Sequence, residues 1–196
     1  MLSEAGSTIS AAESFTHMRI INGMAISLCI SRLLVFAAKF VQNPKKYKFS
    51  AIHTGWIIVI LLWIIAFWWE YLMNSPTRIT NVGTYILDLF YVFGLFFICV
   101  TLTPDDVQAD GGYEKYLFER RIFLFSVIFF LAAIDMTRDI INNIQQKDWN
   151  EVKTIAFYDI IALTLIAIAM FIKGKIFQYF IIFLLSFSSL LGLFLN

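Results

Sequence analysis

The chain has 196 residues, of which 60% are hydrophobic and 15% charged, and its formal net charge at pH 7 is +1. Soluble domains carry about 25% charged residues, and a globule of this size exposes too much surface to hide the excess of apolar side chains. The composition therefore argues against an ordinary water-soluble domain, and the near-neutral charge argues against a nucleic-acid-binding protein.

Five apolar runs are long enough to cross a bilayer as helices, because a hydrocarbon core about 30 Å thick needs about 20 helical residues. They cover residues 20–40, 51–73, 82–102, 155–172 and 176–195. Residues 1–18 are polar and have no early basic stretch, so they do not predict a cleavable signal peptide. The expected fold class is an all-α, polytopic transmembrane bundle whose surroundings are a lipid bilayer.

A sixth helix is predicted over residues 117–141, although its uninterrupted apolar stretch covers only residues 122–134. Arg120 and Arg121 flank that stretch at one end, and Asp135 and Arg138 flank it at the other. Their side chains can lie at the two membrane interfaces and lengthen the span. The sequence thus predicts six transmembrane helices in a single domain covering residues 1–196. The alternative is an interfacial or re-entrant fourth segment, which would leave five crossings and place the termini on opposite sides.

The loops predict an orientation through their lysine and arginine residues. With six crossings, nine of these residues lie on one side of the membrane and five on the other. The larger group includes Lys45, Lys46 and Lys48, and loops rich in Lys and Arg stay in the cytoplasm. We therefore expect a multi-pass protein with both termini outside the cytoplasm.

Five of the charged residues in the predicted helices are candidates for a functional site, because charge is costly within a membrane. They are Arg32, Glu70, Asp88, Asp135 and Asp159. Arg32 is close to the middle of the first helix, where a charge costs on the order of 3 kcal/mol. Because helical side chains lean toward the N-terminus, Arg32 is expected to lean toward the outer part of the bundle, where the four acids lie.

These positions predict a polar, partly hydrated outer cavity centred on Arg32 and Asp88 and lined by Asp135 and Asp159. The alternative is a structural ion pair between Arg32 and Asp88, with Glu70 and the other acids at the interface.

The second helix carries an aromatic face. His53, Trp56 and Trp63 share this face with Glu70, since their spacing of three or four residues is that of a helix. A polar residue at each end with tryptophans between them favours an inner face packed within the bundle. An aromatic wall for a ligand or pore is the alternative interpretation. The first helix repeats Gly23, Ser27 and Ser31 at a spacing of four, a stripe suited to close packing against another helix.

Several kinds of chemistry have no support in the sequence. His17 and His53 begin successive helices and therefore lie at opposite membrane faces, where they cannot share a metal ion or haem. No P-loop, dinucleotide-binding glycine pattern, zinc-protease motif or nucleophile elbow occurs. Cys29 and Cys99 lie in apolar runs and are interpreted as buried hydrophobic residues rather than a disulfide. We predict no catalytic residue, no metal site and no cofactor.

Several local patterns resemble a group of small bacterial six-helix membrane proteins. They are Ser31-Arg32-Leu33-Leu34, His53-Thr54-Gly55-Trp56, Phe67-Trp68-Trp69 and Pro104 followed by Tyr116, Phe118 and Arg121. The likeness covers about the first 125 residues. It implies a bacterial inner-membrane location and six crossings, and it implies no activity.

Three functions are compatible with this sequence. The first is a small channel or transporter for a proton, a cation or a small polar solute, motivated by the acids within the helices. The second is a non-transporting sensor or scaffold subunit, in a homo-oligomer or in a larger membrane complex, motivated by the small-residue stripe. An enzyme that acts on lipid has the least support, because the histidines are separated.

Overall fold

The computed structural model describes residues 11–73, 82–105, 107, 112–145, 147 and 149–195. All regular secondary structure in this part of the chain is helical, as the sequence predicts. The six helices are α1 (Ala11–Gln42), α2 (Ala51–Met73), α3 (Val82–Leu102), α4 (Tyr113–Gln145), α5 (Trp149–Phe171) and α6 (Lys175–Leu195). Among the described residues, α1, α2, α3, α5 and α6 are long and apolar enough to cross a membrane.

The helix boundaries follow local signals in the chain. Ser50 precedes α2, and its hydroxyl accepts a hydrogen bond from the backbone amide of His53 at 3.4 Å, as an N-cap does. Pro104 follows α3 and cannot continue it. Gly112, directly before α4, has a φ angle of 98°, which glycine adopts without strain. Lys147 lies in the tight turn between α4 and α5, and its amide donates to the carbonyl of Ile144 at 3.0 Å.

The helices pack as three neighbouring pairs around a shared apolar core. α1 packs on α3, α4 on α5, and α2 on α6. α2 is the central helix, because it also contacts α1, α3 and α4. Large apolar side chains point outward instead of being buried, as lipid-facing surfaces require; examples are Phe90, Phe93, Phe130, Phe171 and Phe183.

The two ends of the bundle differ in charge. The basic end joins α1 to α2 and α5 to α6, and it carries Lys39, Lys45, Lys46, Lys48, Lys115, Arg120, Arg121, Lys173 and Lys175. The acidic end is the opposite one, where α2 and α4 finish and α3 and α5 begin; it carries Glu70, Asp88, Asp135, Asp139 and Asp159.

Helix α4 runs from the basic end to the acidic end. Near its start, the Tyr116 hydroxyl donates to the carbonyl of Thr101, in the last turn of α3, at 2.8 Å. Near its finish, Arg138 contacts Asp88 in the first half of α3 at 3.9 Å. These two contacts show that α4 runs antiparallel to α3.

Close packing of helices occurs at one position of the predicted stripe and at glycines elsewhere. Gly23 packs closely, since a Cβ atom placed on it would be 3.1 Å from the ring of Trp68 in α2, whereas Ser27 and Ser31 are exposed in the single chain. Another tight contact lies between α3 and α4, where a Cβ atom placed on Gly94 would be 2.5 Å from a methyl group of Leu131. Helix α3 can approach α4 at this point because Gly94 has no side chain.

Candidate functional site

A buried arginine with four carboxyl neighbours lies at the acidic end. Only 9% of the Arg138 side chain is exposed. Its guanidinium ion-pairs with Asp135 one turn earlier in α4, with Asp139 at 3.4 Å, and with Glu70 of α2 and Asp88 of α3 at 3.9 Å each. We call these five residues the Arg138 cluster; it ties three helices together through one side chain.

Two aromatic rings complete the surroundings of this guanidinium. The carbon at the centre of the Arg138 guanidinium is 5.1 Å from the ring centroid of Phe67 and 5.2 Å from that of Tyr91. A guanidinium at this distance from an aromatic face is attracted by the electrons of the ring. The arginine is thus held by carboxylates and by aromatic faces, and it needs no contact with lipid.

The cluster adjoins a cavity of about 280 Å³ between α2, α4, α5 and α6. Four carboxyl groups line it: Glu70, Asp135, Asp139 and Asp159. The indole N–H of Trp63 donates to Asp135 at 3.3 Å, so an aromatic ring and a carboxylate form one wall. The opposite wall is formed by α6, which contributes Ser188 and Ser189.

The cavity ends at Trp56, toward the basic end. Trp56 is fully buried, and its indole N–H donates to the side-chain oxygen of Gln178 at 3.0 Å. The side-chain amide of Gln178 donates in turn to the carbonyls of Ala169 and Ile172, each at 3.0 Å. The ring of Phe125 packs on Trp56 with centroids 4.6 Å apart. This network joins α2, α5 and α6 and closes the cavity on that side.

Among the described residues of the site, carboxyl groups outnumber positively charged groups. Arg138 supplies one positive charge, whereas its cluster holds four carboxyl groups and Asp159 adds a fifth on the cavity wall. Carboxyl groups removed from water cannot all stay ionised without further positive charge. Grouping so many carboxyl groups beside one arginine therefore raises the free-energy cost of keeping all of them ionised.

The predicted pairing of Arg32 with Asp88 was wrong. Arg32 donates to the hydroxyl and the carbonyl of Thr103, at 2.9 and 2.7 Å, and contacts Asp105 at 3.3 Å. Thr103 is 15 residues beyond Asp88, which is roughly 22 Å along the direction of α3 at about 1.5 Å per residue. The long side chain reaches toward the basic end because the end of α3 offers a free carbonyl there.

Arg32 has a structural environment of its own at the basic end. Lys39 donates to the same Asp105 carboxylate at 2.9 Å. The Lys39 hydrogen bond and charge, together with the Arg32 charge, lower the pKa of Asp105 below its usual range. Arg32 and Lys39 thus fasten the segment after α3 to α1, far from the cavity.

The other predicted site residues lie at the cavity, in the Arg138 cluster or at the basic end. Glu70, Asp135 and Asp159 line the cavity, as do Trp56 and Trp63 from the predicted aromatic face. Asp88 is 2% exposed and belongs to the Arg138 cluster. His53 is also buried, but it lies at the basic end. Its ring centroid there is 5.5 Å from that of Phe36 and 5.2 Å from that of Tyr113.

Sequence reasoning missed the central role of Arg138 and the contribution of Asp139. Arg138 was expected only to flank the fourth helix at the membrane interface, and Asp139 was given no role, because the apolar stretch of that helix ends at Ile134. Their signal was the spacing: Arg138 follows Asp135 by three residues, which places both side chains on one helical face. Among the described residues, no three His, Cys, Asp or Glu side chains are grouped so that they could hold a metal ion.

Comparison with known proteins assigns no function to this site. No known protein family, curated protein or solved structure matches the chain.

Proposed function

We propose that the protein is a small channel or transporter that admits a cation into the cavity from the acidic end. The observation that carries this proposal is the cavity of about 280 Å³, which four carboxyl groups line beside a single buried arginine. Ionisable groups within helices of membrane-spanning length are costly, and proteins place them along ion and substrate pathways. The negative field of the acids attracts cations and repels anions.

The membrane arrangement that we propose has six crossings. Helix α4 supports it, because α4 contacts α3 near both ends of the bundle although its own apolar stretch is short. The basic end then faces the cytoplasm by the distribution of Lys and Arg, and the cavity opens to the opposite side. A bacterial inner membrane is the location that the sequence resemblance favours.

The closed side of the cavity fits a transport cycle. Trp56 and Gln178 separate the cavity from the basic end, so a cation that enters from the acidic end cannot pass straight through. Movement of α6 relative to α2 would break the hydrogen bond between Trp56 and Gln178. The cavity would then open toward the basic end of the bundle. Alternating access of this kind needs a bound cation that compensates the acids.

Neutralising Asp159 tests this function. In proteoliposomes given a step of potassium or guanidinium concentration, we expect the parent protein to produce a transport current, and Asp159→Asn to reduce it at least tenfold. Glu119→Gln is the matched control, because Glu119 is an exposed acid near the other end of the bundle. Its current should stay within twofold of the parent.

Two results would count against transport. A parent protein whose current equals that of empty liposomes is not a transporter of these ions. Equal currents in Asp159→Asn and Glu119→Gln would remove the cavity from the pathway. Cation binding without current would instead favour a sensor or subunit, the alternative function.

A further inference from the structure

The cavity has an apolar wall in addition to its carboxyl groups. Trp63 forms part of it, and Trp56 forms its floor. Aliphatic side chains from four helices complete the wall: Val59, Ile60, Ile128, Leu163, Ile166 and Leu185. A bare inorganic ion gains nothing from contact with such a surface, whereas an apolar group gains about 25 cal/mol for each Å² removed from water.

The acidic and apolar parts of the cavity are separated along the helices. In α2, Glu70 lies 14 residues beyond Trp56, roughly 21 Å at about 1.5 Å per residue. In α4, Asp135 and Asp139 lie beyond the apolar Ile128, in the direction of the acidic end. An occupant therefore meets carboxylates nearer the acidic end and an apolar chamber deeper in the bundle.

Trp63 lies where these two parts meet. Its indole N–H is bound to Asp135, which fixes the ring beside a carboxylate. Trp63 and Asp135 both line the cavity, so an occupant whose positive group reaches this carboxylate can place an apolar group against the indole. One wall thus offers an ionic contact to the charged part of an occupant and an aromatic contact to its apolar part.

We propose that the occupant is a small organic cation: one ammonium or guanidinium group attached to an apolar group about the size of a single ring. This inference rests on the proposed function and names its substrate class. A cavity of about 280 Å³ is near the lower limit of about 300 Å³ for pockets that enclose small molecules. The charged group is placed among the acids, and the apolar group lies against Trp63 above the Trp56 floor.

Binding of two matched cations tests the proposal. Tetramethylammonium and benzyltrimethylammonium carry the same charge and differ in one ring. Titration calorimetry in lipid nanodiscs, with empty nanodiscs subtracted, should give a dissociation constant at least tenfold lower for benzyltrimethylammonium. Asp159→Asn should weaken the binding of both cations.

Variants of Trp63 separate the apolar wall from the acids. Trp63→Leu removes the aromatic face and should reduce the tenfold preference to less than threefold, whereas Trp63→Phe, which keeps a ring, should retain most of it. The control is Trp69→Leu, because Trp69 belongs to the same helix but is 43% exposed and does not line the cavity. Its preference should equal that of the parent.

Each outcome has a defined meaning. Equal affinity of the parent for both cations, lost in Asp159→Asn, would overturn the organic-cation proposal and leave the acidic cation site standing. If neither cation bound to a protein that still carries potassium current, the organic-cation proposal would likewise be overturned and the acidic cation site would stand. Absence of both binding and current would overturn this inference and the proposed function together.

Discussion

Replacing Arg138 with glutamine is expected to lower the free energy of unfolding by about 3–5 kcal/mol, as removal of one partner from a buried ion pair does. The substitution leaves four carboxyl groups of the Arg138 cluster without their shared cation, inside the bundle. It also removes the contacts of the guanidinium with Phe67 and Tyr91. Unfolding in detergent with increasing sodium dodecyl sulfate, followed by circular dichroism, measures the loss.

A second substitution shows whether the loss arises from unpaired acids. Asp88→Asn removes one of the carboxyl groups, and in combination with Arg138→Gln it should recover part of the lost stability, so that the two effects are less than additive. Arg19→Gln is the control, because Arg19 is an exposed arginine of α1. A loss for Arg138→Gln no greater than that for Arg19→Gln would show that the cluster does not hold the helices together.

Replacing Gln178 with leucine is expected to cost about 2–4 kcal/mol of unfolding free energy, since each buried polar group left unpaired costs about 1–3 kcal/mol. Gln178 is 1% exposed and makes hydrogen bonds with Trp56, Ala169 and Ile172. Leucine has a similar size but neither donates nor accepts, so the indole N–H of Trp56 and the carbonyl of Ile172 lose their partner. The same detergent titration measures the change.

The Gln178 substitution should also change transport. Without the hydrogen bond to Trp56, the closed side of the cavity loses the polar link described between α2 and α6. We therefore expect the cation current in proteoliposomes to depend less on Asp159. Gln42→Leu is the matched control, because Gln42 is exposed at the end of α1. If both glutamine variants unfolded at the same detergent concentration as the parent, the network around Trp56 would have no structural role.

Apolar patterns were sufficient to predict most of the fold. The predicted bounds of α2 and α3 agree with the structure, because both are continuous apolar runs that end at polar residues. Helices α1 and α5 begin earlier than predicted, at Ala11 and Trp149, because polar residues extend a helix as well as apolar ones do once it has started. Helix α4 exceeds its apolar stretch at both ends for the same reason.

The site was predicted only in part, because its geometry depends on which helices are neighbours. Glu70, Asp135 and Asp159 could be assigned to one end of the bundle from their positions alone, and they line one cavity. The cation that joins them could not be identified in this way. Arg32 has a long side chain that can reach either end of its helix, and the free carbonyl of Thr103 decides the direction. Arg138 was judged by hydropathy, which does not report burial against a neighbouring helix.

Thiol labelling inside the cavity tests the central claim most directly, namely that the cavity contains water and attracts cations. Ser189 lines the cavity and can be replaced by cysteine after the two native cysteines, both fully buried, are changed to alanine. Asn43→Cys, at an exposed position of the basic end, is the control. Two small methanethiosulfonate reagents, one with a trimethylammonium group and one with a sulfonate group, then report the local field.

At Ser189→Cys, we expect the cationic reagent to react at least tenfold faster than the anionic one after correction for their rates with a free thiol, because clefts of one charge sign raise encounter rates by 10-fold or more. At Asn43→Cys, the same ratio should be near or below one. A cysteine at position 189 that reacts with neither reagent, or equally fast with both, would contradict an acidic, water-filled cavity.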